Sequence, residues 1–89
     1  MKLNEFKAKA LAKLTVYEPE NDREKELISI LISKINYLNI DTLTDLMMIL
    51  YEIRENEKYI TEDFKNKIKE ITLLASQLLN EDNEHWTSP

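Results

Sequence analysis

Apolar residues recur every three or four positions in four segments of the chain, which is the spacing of side chains along one face of an α-helix. The pattern predicts an all-α fold, a small antiparallel bundle of four helices, because short connections make consecutive helices antiparallel neighbours. The predicted helices span about residues 2–16, 20–38, 42–56 and 61–80. Together they form one expected domain over residues 1–80. The polar segment EDNEHWTSP (81–89) is expected to be a flexible acidic tail.

Residues with capping propensity set the expected helix ends. Asn21, with Glu24 three positions later, forms a predicted capping pair at the start of helix 2. Thr42 with Asp45, or Asp41 alone, is expected to cap helix 3, and Thr61 is expected to cap helix 4. The chain has no glycine, so asparagine is the next choice for a left-handed residue that ends a helix. The expected positions of such residues are Asn39, Asn56 and Asn80.

Helix 2 carries a broad apolar surface, so it is expected to be a central helix that touches several neighbours. Helices 2, 3 and 4 are therefore predicted to form the core. Helix 1 is expected either to pack across them or to dock on a partner chain. At 89 residues the chain buries too little surface for high stability, and oligomerisation is a common remedy at this size.

Composition excludes several classes of protein. The absence of cysteine rules out disulfides and thiolate metal sites. No apolar run approaches the ~20 residues that span a bilayer. The N-terminal MKLNEFK has no apolar segment typical of a secretory signal, so a cytoplasmic location is expected.

The charge map is acidic and uneven. The net charge is −5, and residues 14–26, 41–56 and 80–89 each carry −3. Helices 2 and 3 superficially resemble a helix-turn-helix, whose second helix reads DNA. Phosphate neutralisation drives such binding, and helix 3 has one arginine against several carboxylates. We therefore do not expect nucleic-acid binding; the alternative reading is that the acidic faces meet a basic partner.

Catalytic and metal-binding patterns are missing from the sequence. His85 is the single histidine and lies near the C-terminus, without the neighbours that orient a general base or complete a ligand set. Paired carboxylates occur, but they are common on any acidic helix. The expectation is a protein without enzyme activity, cofactor, metal or small-molecule substrate.

Helix 3 is apolar nearly all round, which one core-facing side does not require. Met47 and Met48 are either core residues or an adaptable contact surface, since methionine packs against irregular partners. The predicted partner-binding residues are those that the core stripes leave over: Ile30, Tyr37, Met47, Met48 and Tyr51. Trp86 joins them as an anchor on the bundle, as an external contact, or as part of an inert tail.

The helical stretch that includes DREKEL (22–27) and YITEDF (59–64) and continues to Ile71 resembles bacteriocin immunity proteins of lactic-acid bacteria. The resemblance rests on helix spacing and on the loop and threonine that start the last helix. It implies a cytosolic four-helix bundle whose C-terminal segment helps to set specificity.

Taken together, these features predict a non-enzymatic protein-binding module of a bacterium or phage, acting as a small inhibitor or immunity factor. One alternative is a structural or assembly subunit that forms a homodimer or larger homo-oligomer through helix 3. Another is an acidic phage inhibitor of a host nucleic-acid enzyme or defence complex. A DNA-binding regulator is the remaining class, and it would show duplex affinity that falls steeply with salt.

Overall fold

The chain folds into four packed α-helices, and the residues that the structure describes contain no β-strand. The structure is a computed structural model that describes the backbone of residues 1–87 and the side chains of residues 1–81. Helix α1 spans Leu3–Val16, α2 spans Asp22–Asn36, α3 spans Leu43–Asn56 and α4 spans Glu62–Thr87. A 3₁₀ turn at Ile40–Thr42 leads into α3. The predicted fold class is therefore confirmed.

The core consists of the apolar stripes that the sequence predicts. Phe6, Leu31, Leu50 and Ile68, one from each helix, are fully buried. Helix α4 packs against both α1 and α3, and α1 packs against α2. Helix α1 therefore packs within its own chain and lies between α2 and α4, whereas the sequence suggested a helix laid across a core of the other three.

Contacts between helix ends show that neighbouring helices run antiparallel. Lys13 Nζ, near the end of α1, lies 2.8 Å from Glu70 Oε1 in the first half of α4. The amino group of Met1 forms an ion pair with Glu81, further along α4. Lys7 in α1 donates to the carbonyl of Asn36 at the end of α2, at 3.1 Å. Helix α1 thus runs antiparallel to both α2 and α4.

The asparagine residues do not end helices in the predicted way. No residue in the described part of the chain has a positive φ. Asn39 has φ −125° and caps the following 3₁₀ turn, because its side-chain oxygen accepts from the backbone N–H of Asp41 and Thr42. Thr42 itself makes no side-chain cap to α3. Asn56 is the last residue of α3, and Asn80 lies inside α4.

Helix α4 continues seven residues past its predicted end at residue 80. The backbone of Trp86 lies in this last part of α4, and its side chain is outside the described residues. The expectation of a flexible acidic tail over residues 81–89 stays a prediction.

Candidate protein-binding surface

Two parts of the bundle depart from the rule that apolar residues lie inside and polar residues outside. One is an exposed apolar groove on α3. The other is a buried carboxylate, Glu24, where α1, α2 and α4 meet. The groove has the features of a contact surface, whereas the buried carboxylate has the features of a group that stabilises the fold.

The groove runs along the first half of α3 beside the later part of α4. Its volume is about 420 Å³, and it is lined by Thr44, Met47, Met48, Tyr51, Glu52 and Leu79. The α3 residues lie three or four positions apart and so share one face of that helix. Met48 is 63% exposed and Tyr51 is 53% exposed, while Met47 and Leu79 pack partly against the core.

Neither Met48 nor Tyr51 is needed to complete the core. Leu46, Leu50 and Ile53 on the opposite side of α3 are already buried. A large apolar side chain that stays in water gains none of the ~1.5–3 kcal/mol that burial of such a side chain supplies. Adjacent exposed apolar side chains with a polar rim are typical of interaction sites.

Arg54 lies against Tyr51, one of the residues that line the groove. The Arg54 guanidinium lies 5.5 Å from the centre of the Tyr51 ring. Its Nε also lies 3.3 Å from Glu55 Oε1. Stacking of a guanidinium on an aromatic face restricts both side chains, so Tyr51 is presented in a limited set of orientations.

The other predicted contact residues lie on different surfaces. Tyr37 is 86% exposed and lines a second groove, where the end of α2 meets the start of α3. Ile30 is 43% exposed and lies in a shallow, charged depression on α2 with Asp22 and Lys25. The structure therefore brings Met47, Met48 and Tyr51 together but separates Ile30 and Tyr37 from them.

Glu24 is buried completely, and it forms no ion pair with any residue whose side chain is described. Four donors converge on its carboxylate instead. Oε1 accepts from the Tyr17 hydroxyl at 2.7 Å and from the Glu20 N–H at 2.9 Å. Oε2 accepts from the Thr61 N–H at 2.7 Å and from the Thr61 hydroxyl at 2.8 Å. We call Glu24, Tyr17, Thr61 and the Glu20 N–H the Glu24 clasp.

Opposing effects act on the pKa values of the clasp. Burial by itself raises the pKa of Glu24, but its hydrogen bonds together lower that pKa below the ordinary value, because they favour the charged form. For Tyr17, burial is the largest effect, and with the neighbouring carboxylate it raises the pKa to about 12. The clasp therefore holds an ionised carboxylate and a neutral phenol at neutral pH.

The clasp fixes the two chain reversals at this end of the bundle. The Thr61 hydroxyl also accepts from the Phe64 N–H at 3.2 Å, so Thr61 caps α4 as predicted. Nearby, Arg23 Nε donates to Glu57 Oε1 at 2.7 Å, and this hydrogen bond is the largest cause of the lowered pKa of Glu57. The Glu24–Thr61 and Arg23–Glu57 contacts each join the start of α2 to the connection between α3 and α4. All lone pairs of Glu24 face protein donors, so its role is structural.

The sequence contained a signal for Glu24 that capping rules alone do not explain. Asn21 accepts from the Glu24 N–H at 2.9 Å, as predicted, but the Glu24 carboxylate reaches Glu20 and α4 rather than the Asn21 N–H. Glu24 lies on the same stripe as Leu27, Leu31 and Ile35, three, seven and eleven positions later. A carboxylate in line with a core stripe indicates a buried polar contact.

Comparisons with protein-family models, curated proteins and solved structures returned no match to this chain. In the part of the chain that the structure describes, no helix is both long enough and apolar enough to cross a membrane. The same residues contain no group of three or more histidine, aspartate or glutamate side chains arranged to hold a metal ion. The structure shows a small all-α protein of four packed helices, and the comparisons assign it to no family.

Proposed function

We propose that this protein is a non-enzymatic protein-binding module and that the α3 groove is its contact surface. The observation that carries the proposal is the pair Met48 and Tyr51, two large apolar side chains left in water on a helix whose buried side is complete without them. Anchors of this kind account for most of the binding energy when a partner buries them.

The biological role that fits this proposal is a small inhibitor or immunity factor of a bacterium or phage, which works by occupying a protein target. Three features support it: the four-helix architecture, the acidic net charge of −5, and the resemblance of residues 22–71 to bacteriocin immunity proteins. A four-helix fold alone does not determine function, so the proposed role also depends on the groove as a contact surface.

The experiment starts with affinity capture from a low-GC bacterial lysate, followed by purification of the captured protein and measurement of its affinity by calorimetry. Met48→Lys places a charge in the groove and should weaken binding about tenfold or more, the effect of losing a contact residue worth ~1.4 kcal/mol. Helicity by circular dichroism should stay unchanged, because the Met48 side chain is mostly in water.

Leu73→Lys is the matched control. Leu73 is 56% exposed on α4, and the substitution makes the same change of size and charge outside the groove. It should leave the affinity as it is. Equal affinities for the Met48→Lys and Leu73→Lys variants would place the contact elsewhere on the molecule. Light scattering on the purified protein would expose the competing possibility, a homo-oligomer that Met48→Lys dissociates.

A further inference from the structure

The backbone around the α3 groove limits the shape of the segment that can fill it. Both walls are helices, α3 and α4, whose N–H and C=O groups are hydrogen-bonded within each helix. The groove therefore offers an extended peptide no backbone partners, and buried backbone groups without partners are costly. A partner segment must satisfy its own backbone, and an α-helix does so.

The size of the groove agrees with a helical occupant. Thr44 and Glu52 line it eight residues apart on α3, a rise of about 12 Å. That length accommodates about two turns of a helix, with apolar side chains at positions i, i+3 or i+4, and i+7. Met47 and Met48 adapt to the shape of such side chains because the thioether chain is flexible.

The charge beside the groove indicates which sign of charge the partner segment should carry. Glu52 lines the groove, and its carboxylate accepts from Asn56 Nδ2 at 2.6 Å. Among residues with described side chains, Glu52 forms no ion pair, whereas Arg54 is paired with Glu55. The groove thus presents an unneutralised carboxylate at the edge of an apolar floor, on a segment (41–56) whose net charge is −3.

We infer that the segment that fills the α3 groove is a basic amphipathic helix of a partner protein, with apolar anchors on the groove floor and a lysine or arginine side chain beside Glu52. This inference rests on the proposed function, because it names the kind of partner for the same surface. A second copy of the chain is disfavoured there, since a two-fold contact would face each Glu52 with another acidic groove.

Two synthetic helical peptides with the same apolar face test the inference, one flanked by lysine and the other by glutamate. Their affinities for the full chain are measured by fluorescence anisotropy. The lysine peptide should bind about tenfold or more tightly than the glutamate peptide, and its affinity should fall as salt rises from about 0.05 to 0.5 M, where screening shortens the range of charge interactions.

Variants identify the groove as the binding site. Glu52→Lys should lower the affinity for the lysine peptide several-fold. The control Glu18→Lys makes the same charge change in the connection between α1 and α2 and should leave this affinity unchanged. Met48→Lys should lower the affinity for both peptides, whereas Leu73→Lys should lower neither. Circular dichroism of each variant keeps a folding defect from being taken for a binding defect.

The outcomes separate this inference from the proposed function. Equal binding of the two peptides, both lost in Met48→Lys, would overturn the basic partner and leave the groove as a contact surface. A chain whose light scattering shows a dimer that Met48→Lys dissociates would make a second copy the occupant and overturn the inference. Absence of binding by the lysine peptide, or binding that Met48→Lys does not change, would also overturn it.

Discussion

The Glu24 clasp and the α3 groove are opposite exceptions to the same rule. Glu24 is a charged side chain with no exposure to solvent, whereas the large side chains of Met48 and Tyr51 are more than half exposed. In the clasp, four donors of the same chain replace water around the carboxylate, so burial leaves no polar atom without a partner. In the groove, the described residues leave Met48 and Tyr51 largely uncovered, although Arg54 lies over the Tyr51 ring.

The difference separates residues that stabilise the fold from residues available for binding. A buried polar group is tolerated when its hydrogen bonds are complete, and it then specifies one arrangement of the helices around it. An exposed apolar group contributes little to folding, and its free energy is gained only when another surface covers it. Substitutions in the two regions should therefore have opposite effects on stability and on binding.

Of substitutions within the clasp and the groove, Glu24→Gln should have the largest effect on stability. The amide has nearly the same shape, but its NH₂ group faces donors where a carboxylate oxygen accepted two hydrogen bonds. Leaving buried donors without an acceptor costs about 1–3 kcal/mol, so the free energy of unfolding should fall by about 2–3 kcal/mol. Urea denaturation followed by circular dichroism measures the loss.

Glu26→Gln is the control for this substitution, because Glu26 lies on the same helix with an exposed side chain. Its ion pair with Arg23 is 3.5 Å long and exposed, and such pairs contribute little. The control should unfold close to the wild-type midpoint. If the two variants unfolded at the same urea concentration, the clasp would not be a stabilising element.

The helices and the core were predictable from the sequence, whereas the clasp was not. Stripes such as Leu27, Leu31 and Ile35 arise from local spacing, which one sequence displays in full. The clasp depends on the packing of distant segments, since Thr61 lies 37 residues from Glu24 and 44 from Tyr17. Capping rules identified Asn21 and Thr61 but assigned Glu24 only a local role.

The α3 groove was predictable only in part, because local spacing is visible in the sequence whereas contacts between distant segments are not. Helical spacing on α3 was enough to place Met47, Met48 and Tyr51 on one side of that helix. It did not reveal that Leu79 of α4 forms the other wall of the groove or that Tyr37 belongs to a different one. The asparagine prediction was wrong because Asn39 begins a new turn with an extended backbone instead of ending a helix in the left-handed region.

A second prediction concerns how the stabilisation of the fold by Glu24 depends on pH. The folded state lowers the pKa of this carboxyl below the ordinary value of about 4.3. Its contribution to stability is therefore fully present above about pH 4.3 and is lost as pH falls through the folded-state pKa. The difference in unfolding free energy between wild type and Glu24→Gln should narrow as the pH falls below about 4.3.

This pH dependence is measured as a difference between the two proteins because other groups titrate in the same range. The pKa values of Glu57 and Glu70 are also lowered, chiefly by hydrogen bonds from Arg23 and Lys13 respectively, and these contacts persist in both proteins. Subtraction removes their shared contribution. A difference that stayed constant until acid unfolds the wild type would show that Glu24 is not stabilised in its charged form.

The smallest expected effect on stability comes from a substitution in the groove. Met48→Ala should change the free energy of unfolding by less than about 0.5 kcal/mol, because the side chain is mostly in water and alanine favours helix. Leu50→Ala, two residues along the same helix, removes a fully buried side chain and should cost about 2–5 kcal/mol. Thermal and urea unfolding of both variants measure the contrast. A loss above about 1 kcal/mol for Met48→Ala would mean that Met48 supports the fold, and the groove would then lose its main evidence as a surface kept free for a partner.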